Sequence, residues 1–79
     1  MGPVRIAFSL AHPAEIRIEV LDLLGRRVAA PAEGAQPAGT RSVQWDGRTR
    51  QGESAPTGTY FIRYVYPGGQ DMRRVVLVR

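Results

Sequence analysis

The chain has 79 residues and a net charge of +4, with eleven arginines, no lysine, no cysteine and one histidine. Those counts exclude disulfides, a His/Cys zinc centre, a Schiff-base lysine and a Walker-type phosphate loop. They leave one small domain that buries little more than ~60% of the surface its unfolded chain exposes, so its core is thin and sheet hydrogen bonds must carry much of the fold.

The arginines run from Arg5 to Arg79, with only Arg26-Arg27, Arg48/Arg50 and Arg73-Arg74 as local pairs. Nucleic-acid binding needs a concentrated basic face with stacking aromatics beside it, so no nucleic-acid partner is expected. No apolar run approaches the ~20 residues of a membrane span, and the first residues do not read as a signal peptide's charged region followed by an apolar stretch, which says nothing about the location of a parent protein. Residues 1–3 read as a start or linker remnant of a domain that covers residues 4–79, excised from a larger parent protein.

Val4, Ile6, Phe8 and Leu10 are apolar at every second position, which marks a strand buried on one face. Ala11-His12-Pro13 breaks that run. Ile16, Ile18 and Val20 then alternate with Glu15, Arg17 and Glu19, the cleanest strand pattern in the chain. Asp22-Leu23-Leu24-Gly25 reads as a hairpin turn in which Gly25 takes positive φ. Residues 26–30 return as the paired strand with Val28 inward. Residues 31–39, with two prolines and two glycines, are expected to form a loop. Val43 and Trp45 share one face of a strand over residues 40–45, and residues 46–58 form a second long loop. Tyr60, Ile62 and Tyr64 face one way on the next strand, opposite Phe61, Arg63 and Val65. Pro67-Gly68-Gly69-Gln70 turns the chain into a closing strand over residues 72–78. No segment has a helical period. The expected fold is all-β: an Ig-like antiparallel β-sandwich of six to seven strands.

Trp45-Asp46-Gly47-Arg48, Gly52, and Pro56-Thr57-Gly58-Thr59-Tyr60-Phe61 form the most informative stretch. Trp45 should plug the core with its indole N–H on a carbonyl, and Asp46 should accept backbone amides of the following turn. A calcium loop from Asp46, Thr49, Gln51 and Glu53 is the sharper alternative, but two carboxylates flanked by Arg48 and Arg50 are poor ligands for calcium. Neither metal nor cofactor is expected. Asp46, Glu53 and Asp71 are the carboxylates a glycosidase pair would draw on. Ser9, Ser42, Ser54 and His12 are the material for a triad, without a nucleophile elbow. No enzyme activity and no small-molecule substrate are expected. Among Tyr60, Phe61, Tyr64 and Tyr66, the exposed candidates for a sugar platform are Phe61 and Tyr66, giving carbohydrate binding as a weaker alternative.

Asp22-Leu23-Leu24-Gly25-Arg26-Arg27-Val28, Ala38-Gly39, Val43-Gln44-Trp45-Asp46-Gly47-Arg48, Gly52 and Pro56-Thr57-Gly58-Thr59-Tyr60-Phe61 together resemble the Ig-like domain first named from the bacterial flagellar hook-capping protein. The domain is similar also to the type IX secretion C-terminal sorting domains, whose ending resembles residues 72–79. The shared positions are core and turn residues: Gly25, Gly39, Trp45, Asp46, Gly47, Gly52, Gly58 and Tyr60. The resemblance implies a non-catalytic module of a larger secreted or cell-surface protein. Its leading expected role is sorting or attachment, with Arg73, Arg74 and Arg79 docking an export or anchoring machine. The alternative is structural assembly in a hook cap or fibre, with neighbouring subunits as partners paired through the edge strands at residues 4–10 and 72–78.

Overall fold

Alternating apolar residues need a sheet face to cover, and the computed structural model, which describes residues 4–78, meets that need with two facing sheets. Six strands lie among the described residues: β1 (Val4–Leu10), β2 (Ala14–Leu21), β3 (Arg27–Gln36), β4 (Gly39–Trp45), β5 (Gly58–Tyr66) and β6 (Gly69–Leu77). β1 pairs with β4, and a four-stranded sheet runs in the order β3-β2-β5-β6. Every pairing is antiparallel. The chain is an Ig-like β-sandwich.

The inward sets are the ones the alternation marks. Phe8 from β1, Ile16, Ile18 and Val20 from β2, Trp45 from β4, and Tyr60 and Ile62 from β5 are buried together with Leu77. Val4, Ile6, Leu10, Val28 and Val43 pack half-buried around them. Leu77 settles the inward face of β6, where four consecutive apolar residues leave the alternation unreadable. It pairs with Gly58, and Val75 pairs with Tyr60, so the odd-numbered residues of β6 face the core.

The β2–β3 hairpin closes as its sequence predicts. Gly25 has φ +80°, a conformation that costs an L-residue about 1 kcal/mol. One carboxylate oxygen of Asp22 accepts the amides of Leu24 and Arg26, each at 2.9 Å, and the other accepts Arg26 Nε at 2.8 Å. These bonds, led by the backbone N–H of Arg26, hold the Asp22 carboxyl below its ordinary value.

Residues 31–36 are not a loop. β3 continues through Pro31 to Gln36, because its outer side is an edge and a proline there forfeits no ladder hydrogen bond. Two bulges accommodate the irregular composition. Ala30 and Pro31 together oppose Glu19, since Ala29 pairs with Val20 and Ala32 with Ile18. Val28 is the second extra residue, inserted between the pairs Val20–Ala29 and Leu21–Arg27.

Tyr66 also departs from expectation. It lies on the same face as Tyr64, with ring centroids 5.0 Å apart, and packs half-buried against the core. Even-numbered residues of β5 all face inward, so an exposed sugar platform of Phe61 and Tyr66 on one face does not exist.

Candidate functional site

The Trp45 loop is built from the turn residues upward. Asp46 accepts the Arg48 amide at 3.0 Å, and Gly47 at φ +80° lets the chain reverse immediately after it. That reversal brings the Arg48 carbonyl back over the core, where Trp45 Nε1 donates to it at 2.9 Å. The indole is 2% exposed and meets Tyr60 edge-on, with ring centroids 5.3 Å apart. Arg48 Nη1 donates to the Gly52 carbonyl at 3.0 Å, the Gly52 amide donates to the Thr49 carbonyl at 2.9 Å, and the Ala55 amide donates to the Gly47 carbonyl at 2.8 Å. The Arg50 amide crosses to the Val28 carbonyl at 3.0 Å. The bulge in β3 therefore has a purpose: the extra residue turns its carbonyl out of the ladder and anchors the loop.

Tyr60 completes the unit by donating its hydroxyl to the Pro56 carbonyl at 2.6 Å. This is the upstream hydroxyl-to-backbone bond that fixes a sandwich corner. Tyr60→Phe should lower stability by about 1 kcal/mol, a fall of roughly 4–8 °C in a thermal melt. An unchanged melt would show that the bond contributes nothing over water.

The carboxylates and hydroxyls considered for catalysis are dispersed. Asp46 and Glu53 lie in the β4–β5 loop and Asp71 on β6. His12 is in the β1–β2 turn, Ser9 Oγ is 3.1 Å from Thr40 Oγ1, Ser42 is exposed on β4, and Ser54 sits in an isolated bridge with Arg48. No group of three His, Cys, Asp or Glu side chains suited to a metal ion occurs among the described residues.

The two docking arginines that fall within the described residues do not act together. Arg73 pairs with inward-facing Ile62 and Arg74 with outward-facing Phe61, so they project from opposite faces of β6. Arg79 lies outside the described residues.

The largest electrostatic feature is one that strand alternation alone places in solvent. Glu19 projects from the outer face of β2, yet is only 2% exposed. Arg27 Nε donates to its Oε2 at 2.7 Å and Arg63 Nε to its Oε1 at 2.8 Å, while Arg17 Nε stands 3.3 Å from Oε2. Burial by itself would raise the Glu19 pKa. The hydrogen bonds from Arg27 and Arg63, with the charges of Arg63 and Arg17, outweigh that effect and hold it below its ordinary value of 4.5. The available signal was Arg17 two residues before Glu19, on the same outer face of β2. The registers Glu19↔Arg63 on β5 and Leu21↔Arg27 on β3 turn that signal into a clamp.

The strand edges are the remaining candidate elements. β1 and β6 end the two sheets on one side, and β4 and β3 end them on the other. The architecture thus defines a small β-sandwich whose distinctive parts are a corner loop and exposed edges. Residues 1–69 match the family model of the FlgD Ig-like domain, most of the chain, and the protein belongs to that family. The match supports the hook-cap side of the resemblance and stops where β6 begins; it contains nothing of type IX sorting. No curated protein and no solved structure matches the chain.

Proposed function

We propose that the chain is a non-catalytic structural module of an extracellular, flagellar hook-type assembly, and that it joins neighbouring protein subunits through its sheet edges. The observation that carries this reading is the FlgD Ig-like family membership. Further support comes from edge strands β1 and β6, whose outer sides have no strand partner among the described residues; strands of separate chains combine through such edges. The module's interior is occupied by side chains that fill the core or satisfy the corner loop, and its carboxylates and hydroxyls are scattered over separate elements.

The test is genetic. Residues 4–78 are deleted in frame from the gene that encodes the chain, and hooks are examined by electron microscopy. Absent or malformed hooks, with the truncated protein still present, support the reading. Normal hooks and normal swimming overturn it.

A further inference from the structure

The two sheets do not end level. The Phe8 and Tyr64 rings, 5.4 Å apart, place β1 opposite β5, and β6 continues the larger sheet one strand beyond. The position above β6 is therefore a step about 4.8 Å wide, one strand spacing, in the smaller sheet. A groove of about 550 Å³ occupies that step. Val4, Ile6 and Phe8 of β1 form its wall, and Val75, Arg73 and Asp71 of β6 form its floor. Among the described residues β1 pairs with β4 alone, so the backbone groups on its other side face the groove without a strand partner there.

We propose that this groove is a strand-acceptor site. It takes one extended segment of a neighbouring protein subunit, antiparallel to β1, as a third strand of the smaller sheet lying over β6. The main chain of the guest pairs with β1, and its alternate side chains point down at the floor. Apolar side chains meet Val75 and a carboxylate meets Arg73. Neither Arg73 nor Asp71 has an ion-pair partner within 4.0 Å among the described residues, and Arg5 at the rim adds a second positive charge. Arg73 and Arg5 outnumber Asp71, so the groove favours an apolar strand whose acidic residue lies over Arg73 and whose residue over Asp71 is neutral.

A second copy of the chain does not fit. Pairing β1 with its equivalent about a two-fold axis would drive the partner's β5 into the space of this copy's β6, and its β6 into that of β5. A second copy's β6 carries Arg73 and Arg74 on opposite faces, so either face would bring an arginine to a floor that already holds Arg73. Like charges at such a junction oppose docking.

That the guest comes from an assembly subunit rests on the proposed function; acceptance of a strand is read on the purified chain. The probe is a blocked seven-residue peptide, the length of β1, with threonines outward and Thr, Glu, Val and Val inward. Its controls replace the glutamate by lysine or the central threonine by proline. Amide hydrogen exchange should slow along β1 when the glutamate peptide is added, and the proline peptide should have no effect. The lysine peptide should bind about tenfold more weakly, and Arg73→Glu, an exposed change, should reverse that order. Unchanged β1 exchange at millimolar peptide overturns the proposal. So does equal binding of the two charged peptides, or a dimer of the chain alone that protects β1. A hook defect on deletion with no peptide binding would retain the structural role and reject the groove; the converse would do the opposite.

Discussion

Replacing Glu19 by glutamine should lower stability by about 3 kcal/mol at neutral pH, because it leaves three arginines gathered around a neutral side chain. The arginine side chains are 31–42% exposed and can turn partly to water, which keeps the cost at the lower end of the range for broken buried pairs. The pH dependence separates charge from shape. Glu19 has a folded-state pKa below 4.5, so its contribution is complete above that value and is lost as pH falls through the folded-state pKa. The stability curves of the parent and Glu19→Gln should therefore run apart at pH 7 and converge in acid. Asp22, also lowered, is common to both proteins and cancels in the difference. Denaturant melts from pH 2 to pH 7 measure the gap. A gap that stays constant across that range would mean that packing, not the carboxylate's charge, stabilises the outer face.

Trp45→Ala should be the most damaging change in the core. The indole is 2% exposed, touches Tyr60 and holds the Arg48 carbonyl, so truncation leaves a large cavity and frees the corner loop. The expected loss is about 3–5 kcal/mol. A domain of this size has roughly 4–12 kcal/mol in total, by the usual 0.05–0.15 kcal/mol per residue. The melting temperature should fall by roughly 12–40 °C, enough in the worst case to leave the chain unfolded at room temperature. Trp45→Phe retains part of the apolar contact and should fall between the two. If Trp45→Ala melted within a few degrees of the parent, the loop and not the indole would be the source of the corner's rigidity.

The parts legible in the sequence were those written locally. Alternation along residues 4–10 and 16–20 gave the inward faces, and Asp22 with Gly25 gave the turn. Asp46, Gly47 and Trp45 gave the corner's hydrogen bonds because each partner lies within three residues. What stayed hidden depends on partners far along the chain. Arg63 meets Glu19 across a separation of 44 residues, and no local pattern states that register. Proline and glycine in residues 31–36 have loop composition; only the position of β3 at a sheet edge makes a strand possible there. The divergence of Arg73 and Arg74 was readable from period two alone. Their adjacency in sequence is what made them look like one site.

The two bulges and Pro31 give the sandwich a handed exterior. At the β3 edge, two bulges and a proline interrupt the strand, which disfavours the addition of a further one. On the β1 and β6 side, the step lies open to one. If the groove accepts a strand as proposed, a module receptive there and interrupted at β3 would receive a segment in its smaller sheet without extending the larger one past β3. In a growing structure, that asymmetry would let subunits be joined one at a time and keep their sheets from running together into a continuous fibre.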